Sequence, residues 1–248
     1  MSDLLVHDQE GVRFLTLNRV AKKNALTSHF YAELADAFEA AVAESSVRVL
    51  VIQGHETVFS AGNDIADFIQ RPPHDGEAPV FRFLRAVSAC PKPVMAAVAG
   101  PAVGIGTTML LHCDLVYAGD NALLSMPFVN LGLCPEAASS LLVPQRLGHV
   151  RAAQMLMLGE PIDAATALEW GLVNAVLPPT EVNAHVERMA LKLASKPVDS
   201  VMTTKRLLKQ AHAQDVAQRI VDEAQQFGRL MAEPAAQQAF AAFMTKRN

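Results

Sequence analysis

Nineteen consecutive residues, PVMAAVAGPAVGIGTTMLL (93–111), carry no charge, and this run limits what the chain can become. Its length approaches the roughly 20 apolar residues that a membrane-spanning helix needs. However, Pro93, Gly100, Pro101, Gly104 and Gly106 interrupt it, and most of its apolar side chains are small. Proline removes a helical hydrogen bond and glycine loosens the backbone, so one continuous helix does not fit. The run is expected to be a buried strand, a glycine turn and the start of a buried helix.

Further β-rich runs lie at VRFLTLN (12–18), VRVLVIQG (47–54) and DLVYAG with ALLSM (114–126). Helical periodicity follows most of them. In TSHFYAELADAFEAAVAE, Thr27 or Ser28 is placed to cap a helix, and Phe30, Leu34, Ala37, Phe38 and Ala41 share one face. Repeated strand-then-helix units imply an α/β domain. With 51% hydrophobic and 19% charged residues, 248 residues suffice for a sizeable core.

After residue 148 the texture changes. HVRAAQMLMLG and DAATALEWG end at Gly159 and Gly171, and a short strand is expected in LVNAVLP. Helices are then expected around 180–194, 198–212, 214–231 and 234–246, punctuated by Pro197 and Pro234. The division is therefore an α/β core over 1–195 and a helical region over 196–248 that needs a partner surface, on this chain or another subunit.

Net charge of −4 gives no reason to expect nucleic acid or an anionic membrane as partner. Cys90, Cys113 and Cys134 are widely spaced, with no zinc-type cluster, which reads as reduced thiols of a cytoplasmic protein with no bound metal. The start lacks a secretory pattern, and TKRN at the end is not a peroxisomal address. No GxSxG, HExxH or P-loop is present. GIG (104–106) begins like a dinucleotide-binding fingerprint, but Met109 stands where the third glycine belongs.

Two loop-to-helix junctions carry more chemical content: FSAGNDIADF (59–68) and AGPAVGIGTTMLL (99–111). Unpaired N–H groups at such helix starts favour an anion. One from each junction converging on a thioester oxygen would form an oxyanion hole, at roughly 3–4 kcal/mol per donor. Both junctions also read as ordinary turns with capped helices, Asp64 being the cap of the first. Between Asp120 and Arg146, Glu136 is the only charged residue, with apolar or small neighbours on both sides. It reads either as a first-turn helix acid after Pro135 or as a desolvated general base. Cys134 reads as a buried thiol ahead of a nucleophile, and His55, His112 and His149 as surface or packing residues.

In combination, LNRVAKKNAL (17–26), VRVLVIQG, FSAGNDI, AVAGPAVGIG, CDLVYAGDNALLSMPFVNLGL and ALEWGLVNAVLP resemble the crotonase, or enoyl-CoA hydratase/isomerase, superfamily over almost the whole chain. The resemblance implies a spiral of ββα units with a C-terminal helical trimerisation region, assembled as a homotrimer or hexamer. It implies an acyl-CoA substrate, whose coenzyme A is the only cofactor-like group, held with its thioester oxygen on the N–H groups of Asn63 and Ile105. The positions of the two hydratase glutamates fall on Thr108 and Phe128. GPAVGI, PFVNLG and PEAASS instead look like Δ3,Δ2-enoyl-CoA isomerases of the peroxisomal type, in which a glutamate at position 136 is the single acid/base. The resemblance thus implies an isomerase of fatty-acid β-oxidation that converts 3-enoyl-CoA into trans-2-enoyl-CoA through a dienolate. Ala61, Gly62, Asp64, Ile65, Gly106, Met126 and Phe128 are the implied substrate contacts. Phe243 and Lys246 in the tail are implied to reach coenzyme A, with Lys22 and Lys23 as weaker phosphate candidates. The competing readings are a hydratase, an aromatic-acid pathway isomerase, or a non-catalytic acyl-CoA-binding protein.

Overall fold

The structure, a computed structural model, describes residues 2–73 and 77–245. Its main sheet opens with a hairpin the sequence reading did not anticipate: β1 (Leu4–Gln9) pairs antiparallel with β2 (Val12–Leu17). Glu10 and Gly11 make the turn, both at positive φ (47° and 83°), as a two-residue hairpin loop with the strand twist requires. From β2 onward every pairing in this sheet is parallel. The order is β1-β2-β3-β4-β6-β9, with β3 Val49–Gln53, β4 Val94–Val98, β6 Leu115–Gly119 and β9 Ala175–Leu177. All of β4 is buried, because a parallel sheet is covered on both faces.

One cover is α1 (Ser28–Ala43), capped by the Thr27 hydroxyl, whose Phe30, Leu34, Phe38 and Ala41 are fully buried. Each large side chain of this kind is worth about 1.5–3 kcal/mol of burial. Beyond it lie the short α2 (Ile65–Gln70) and α3 (Pro79–Ser88), where Phe83 packs edge-on against Phe38.

The uncharged run folds as β4, then a corner at Gly100, then β5 (Pro101–Val103), then α4 (Ile105–Thr108), with a 3-10 turn over Met109–His112. A Cβ on Gly100 would lie 2.1 Å from the Thr57 carbonyl oxygen, so the corner requires glycine. β5 starts a second sheet with β7 (Leu123–Ser125) and a two-residue β8 (Ile162–Asp163), the last also unanticipated. The chain thus steps from the first sheet to the second after β4 and again after β6. Among the described residues no helix is long and apolar enough to cross a membrane.

Between the second sheet's strands run α5 (Ser139–Leu147) and α6 (His149–Ala153), the latter widening into a π turn that ends at Gly159. After α7 (Ala164–Glu169), α8 (Val182–Ala194) covers the main sheet's other face with Val182, Val186, Ala190 and Ala194. The remaining helices close onto the core of the same chain. Lys205 of α9 (Val198–Lys209) reaches Asp114 and the Lys92 carbonyl, both at 2.7 Å. Ile220 and Phe227 of α10 (Ala213–Met231) and Ala236 and Phe240 of α11 (Pro234–Thr245) join the main hydrophobic cluster.

Candidate active site

The two junctions lie side by side because they are paired. Ser60 bridges Ala102 in parallel register, with Val103 N–H donating to the Ser60 carbonyl at 2.9 Å. Three residues further along each strand stand Asn63 and Ile105. Before each, a glycine at positive φ turns the backbone: Gly62 at 85° and Gly104 at 56°. A Cβ on Gly62 would lie 2.7 Å from the Val103 oxygen, and one on Gly106 would lie 2.9 Å from the Ser60 oxygen. Only glycines allow the two turns to approach so closely. Ile105 is the first residue of α4, so its N–H has no helical acceptor. Beside Ile105, the Gly104 N–H donates to the Ser125 carbonyl, and beside Asn63, the Asp64 N–H donates to the Leu26 carbonyl. Asn63 lines the cavity described below, and its side-chain oxygen accepts from the Tyr31 hydroxyl at 2.5 Å.

Glu136 lies just before α5, not in its first turn, since the helix begins at Ser139. This position removes the helix-dipole reading. Glu136 is 9% exposed, and burial pushes its carboxyl up to about 7. The Thr108 hydroxyl works against that shift by donating to Oε1 at 2.5 Å, and the nearby Glu223 carboxylate adds to it. Thr108, where the resemblance implied a hydratase glutamate, therefore sits directly against Glu136. A carboxyl near 7 is poised to take up and return a proton at neutral pH.

Glu136, Asn63, Phe68, Leu84 and Phe227 face one cavity of about 40 Å3, which opens into a groove of about 690 Å3 between α3 and α10. The two share Pro73, Phe81, Ile220, Ala224 and Gly228. The inner end has room for only a few water-sized atoms and is mostly apolar. Phe128 stands at the Gly104 turn and packs edge-on against Phe227, which in turn meets Phe68.

Other expected residues are placed as follows. Ala61 is half-buried, and its N–H donates to the Lys23 carbonyl. Ile65 is buried at the start of α2. Asp64 caps α2 and pairs with Arg19 at 2.8 Å. Burial opposes its charge, yet Arg19 and the cap amides hold its carboxyl below the usual range. Met126 is fully buried and, like the buried Phe128, is not among the residues lining that cavity. Phe243 is a partly exposed residue of α11, and Lys246 lies outside the described residues. His112 is a packing residue: burial pushes its ring down to about 3, and its Nε2 meets the Ala137 carbonyl at 2.8 Å. The Cys134 thiol is pushed up by burial, which suits a structural thiol. Among the described residues no His, Cys, Asp and Glu cluster is arranged for a metal.

The sequence reading missed Tyr31, Thr108 as a partner of Glu136, and the whole contribution of α10. A signal for the last exists. Val216, Ile220, Glu223, Phe227 and Met231 recur at helical spacing, which puts a carboxylate within an apolar stripe.

The Asn63 junction and the buried Glu136 carboxylate thus face one cavity, with the Ile105 junction paired to the first through Ser60 and Ala102. Residues 7–248 match the sequence model of the enoyl-CoA hydratase/isomerase family. The chain belongs to that family, the crotonase superfamily, and its α/β spiral with helical C-terminal region is the crotonase fold. It is 32% identical to 2,3-dehydroadipyl-CoA hydratase of Escherichia coli, over 100% of this chain and 97% of that one. It is 34% identical to enoyl-CoA delta isomerase 2 of Rattus norvegicus over 83% of this chain, and spans only 54% of that protein. The structure of Pseudomonas aeruginosa OdaA superposes with a TM-score of 0.96 and 44% identity, covering 98% of this chain and 99% of the other. The protein is thus a crotonase-family enzyme of acyl-CoA hydratase/isomerase chemistry.

Proposed function

We propose that the protein is a Δ3,Δ2-enoyl-CoA isomerase with Glu136 as its single acid/base. One observation carries this reading. Glu136 is the only carboxylate among the described residues lining the cavity, and the hydratase acid positions hold Thr108 and Phe128. Hydration needs a water held and activated between two acids, whereas a double-bond shift needs one group that removes and returns a proton.

The thioester oxygen of a 3-enoyl-CoA rests on the N–H groups of Asn63 and Ile105. Glu136 removes a C2 proton, and the electron pair moves through the thioester carbonyl to give a dienolate. The hole stabilises the negative oxygen by roughly 3–4 kcal/mol per donor. The protonated Glu136 delivers a proton to C4 as the pair returns, which leaves the double bond between C2 and C3. Thr108 keeps Oε1 occupied, so Oε2 is the oxygen directed to the substrate. Ala61, Gly62, Ile65 and Gly106 shape the turns around the thioester, and Phe128 closes its apolar side with Phe227. Phe243 and Lys246 are proposed to contact coenzyme A, and the working assembly is a trimer or hexamer of cytoplasmic chains.

The test is a side-by-side assay of 3-enoyl and 2-enoyl CoA esters, following conjugation and hydration separately. Isomerisation of 3-hexenoyl-CoA with negligible hydration of crotonyl-CoA is the expected result. Comparable hydration would overturn the assignment, and CoA-ester binding with no turnover would leave a binding protein.

A further inference from the structure

The segment that carries Glu136 is held from outside by a residue of the C-terminal helices. Ala137 and Ala138, which follow Glu136 directly, both take left-handed φ, 59° and 57°. Two consecutive non-glycine residues rarely adopt this conformation unless their surroundings enforce it. Ala138 is also the N-cap of α5 and has no side chain to satisfy the helix's first amides. The carboxylate of Glu223, on α10, takes that place. Its Oε2 accepts from Ala138 N–H at 2.6 Å and its Oε1 from Ser140 N–H at 2.9 Å. Arg219, one turn earlier on α10, donates to the Ser140 hydroxyl at 3.0 Å. Other ties complete the frame. Ser139 N–H and its hydroxyl donate to the Glu136 carbonyl, and His112 meets the Ala137 carbonyl. On the other side of the segment, α11 approaches Gly132 so closely that a Cβ there would lie 2.8 Å from Ala236 N.

We propose that Glu223 is a positioning residue for Glu136: its buried carboxylate clamps the left-handed turn and so fixes where the base points, while its charge stands behind that base. The proposal rests on the isomerase reading for its kinetic readout. Glu223 touches no substrate and acts only through the segment it holds. Glu223 is 5% exposed, and burial pushes its carboxyl up, while the Ser140 and Ala138 donors and Arg219 favour its charged form. The titratable and charged groups facing Glu136 are Glu223 from α10, Tyr31 from α1 and Cys134 on its own loop. Removing the negative charge at 223 makes ionisation of Glu136 easier, so its titration moves to lower pH.

Glu223→Gln keeps the size and one acceptor but loses the charge and one clamp bond. Expected are a kcat on 3-hexenoyl-CoA lower by about tenfold or more, because a misaimed base is slow, and a KM within about threefold, because the thioester amides belong to other elements. The acid limb of kcat against pH should move down by about half a unit or more. Lys205→Gln loosens another buried ion pair of the C-terminal helices and serves as comparison. It should lower stability and leave kcat and the acid limb unchanged. A Glu223→Gln enzyme with parental kcat and acid limb would overturn the proposal. So would a kcat that returns to the parental value once corrected for the folded fraction, with an unmoved acid limb, as a purely structural cap would produce. If Glu223→Gln alone does not fold, it is made with Ala138→Gly, which takes the left-handed turn without a clamp, and the acid limb is read there. One readout does not depend on the reaction: the gain in stability from Glu136→Gln should level off at a lower pH, and be smaller, in the Glu223→Gln background. If no 3-enoyl-CoA is turned over, the isomerase reading fails alone and this stability readout still decides the role of Glu223.

Discussion

A base buried before its substrate arrives costs folding free energy, and Glu136→Gln should reveal how much. In the folded protein burial raises the Glu136 carboxyl from 4.5 to about 7. Below pH 4.5 both folded and unfolded chains carry the proton, and the carboxyl imposes no differential cost. Between 4.5 and 7 the unfolded chain releases the proton while the folded one retains it, so folded stability falls as pH rises. Above 7 the folded protein holds the buried charge and the full cost remains. At about 1.36 kcal/mol per pKa unit, a shift of this size corresponds to about 3 kcal/mol. Glutamine does not titrate, and its side-chain oxygen still accepts from Thr108. The variant should therefore gain on the parent by about 3 kcal/mol between pH 4 and pH 8. Urea unfolding of both proteins at one fixed concentration measures the difference, in which other titrating groups largely cancel. A difference that stays flat within about 0.5 kcal/mol across that range would refute the desolvated-base argument. The same variant should bind CoA esters yet lose about 10³-fold or more in kcat, while parental kcat/KM rises with pH through about 7. Near-normal turnover would remove Glu136 from the mechanism.

The other predictions address its surroundings. Thr108→Val removes the donor that favours the charged base, so the acid limb of kcat should move to higher pH and kcat should fall about tenfold; an unmoved limb would deny Thr108 its orienting role. Gly62→Ala puts a Cβ 2.7 Å from the Val103 oxygen and forces the Asn63 amide aside, so kcat should drop by about 10²-fold or more with the fold retained by circular dichroism. A substrate deuterated at C2 should carry part of its label to C4 on the same face, and Phe128→Ala, which opens the pocket, should carry less. Complete washout in the parent, or transfer to the opposite face, would exclude a shielded single base.

What could be read in the sequence follows from how far apart the interacting residues are. The uncharged run gave up its strand, corner and helix start because its own prolines and glycines announce them, although β5 inside it is too short to show a period. β1 was missed since LLVHDQ is exposed along most of its length and lacks the apolar alternation of a half-buried strand. The two glycine junctions and Glu136 stood out through local cues, turns for the first and an isolated charge for the second, whereas Asn63 and Ile105 as the donors were implied only by the family resemblance. Asp64 likewise signalled its cap. The groups that tune the base left only faint marks. Thr108 is 28 residues from Glu136, and Glu223 is 85 residues from the Ala138 amide it clamps. No local pattern encodes such contacts. The left-handed pair Ala137–Ala138 is equally silent in sequence, since glycine or asparagine would have been the expected signal for positive φ. Alanine is tolerated there because a carboxylate from α10 and an imidazole from the turn after α4 hold the backbone in place. A buried glutamate on the apolar stripe of a surface helix has no reason to persist for that helix alone, since an apolar residue would pack there at less cost. Its position becomes intelligible only when α10 is laid against the segment that presents Glu136, so this C-terminal helix belongs physically to the cavity that Glu136 lines.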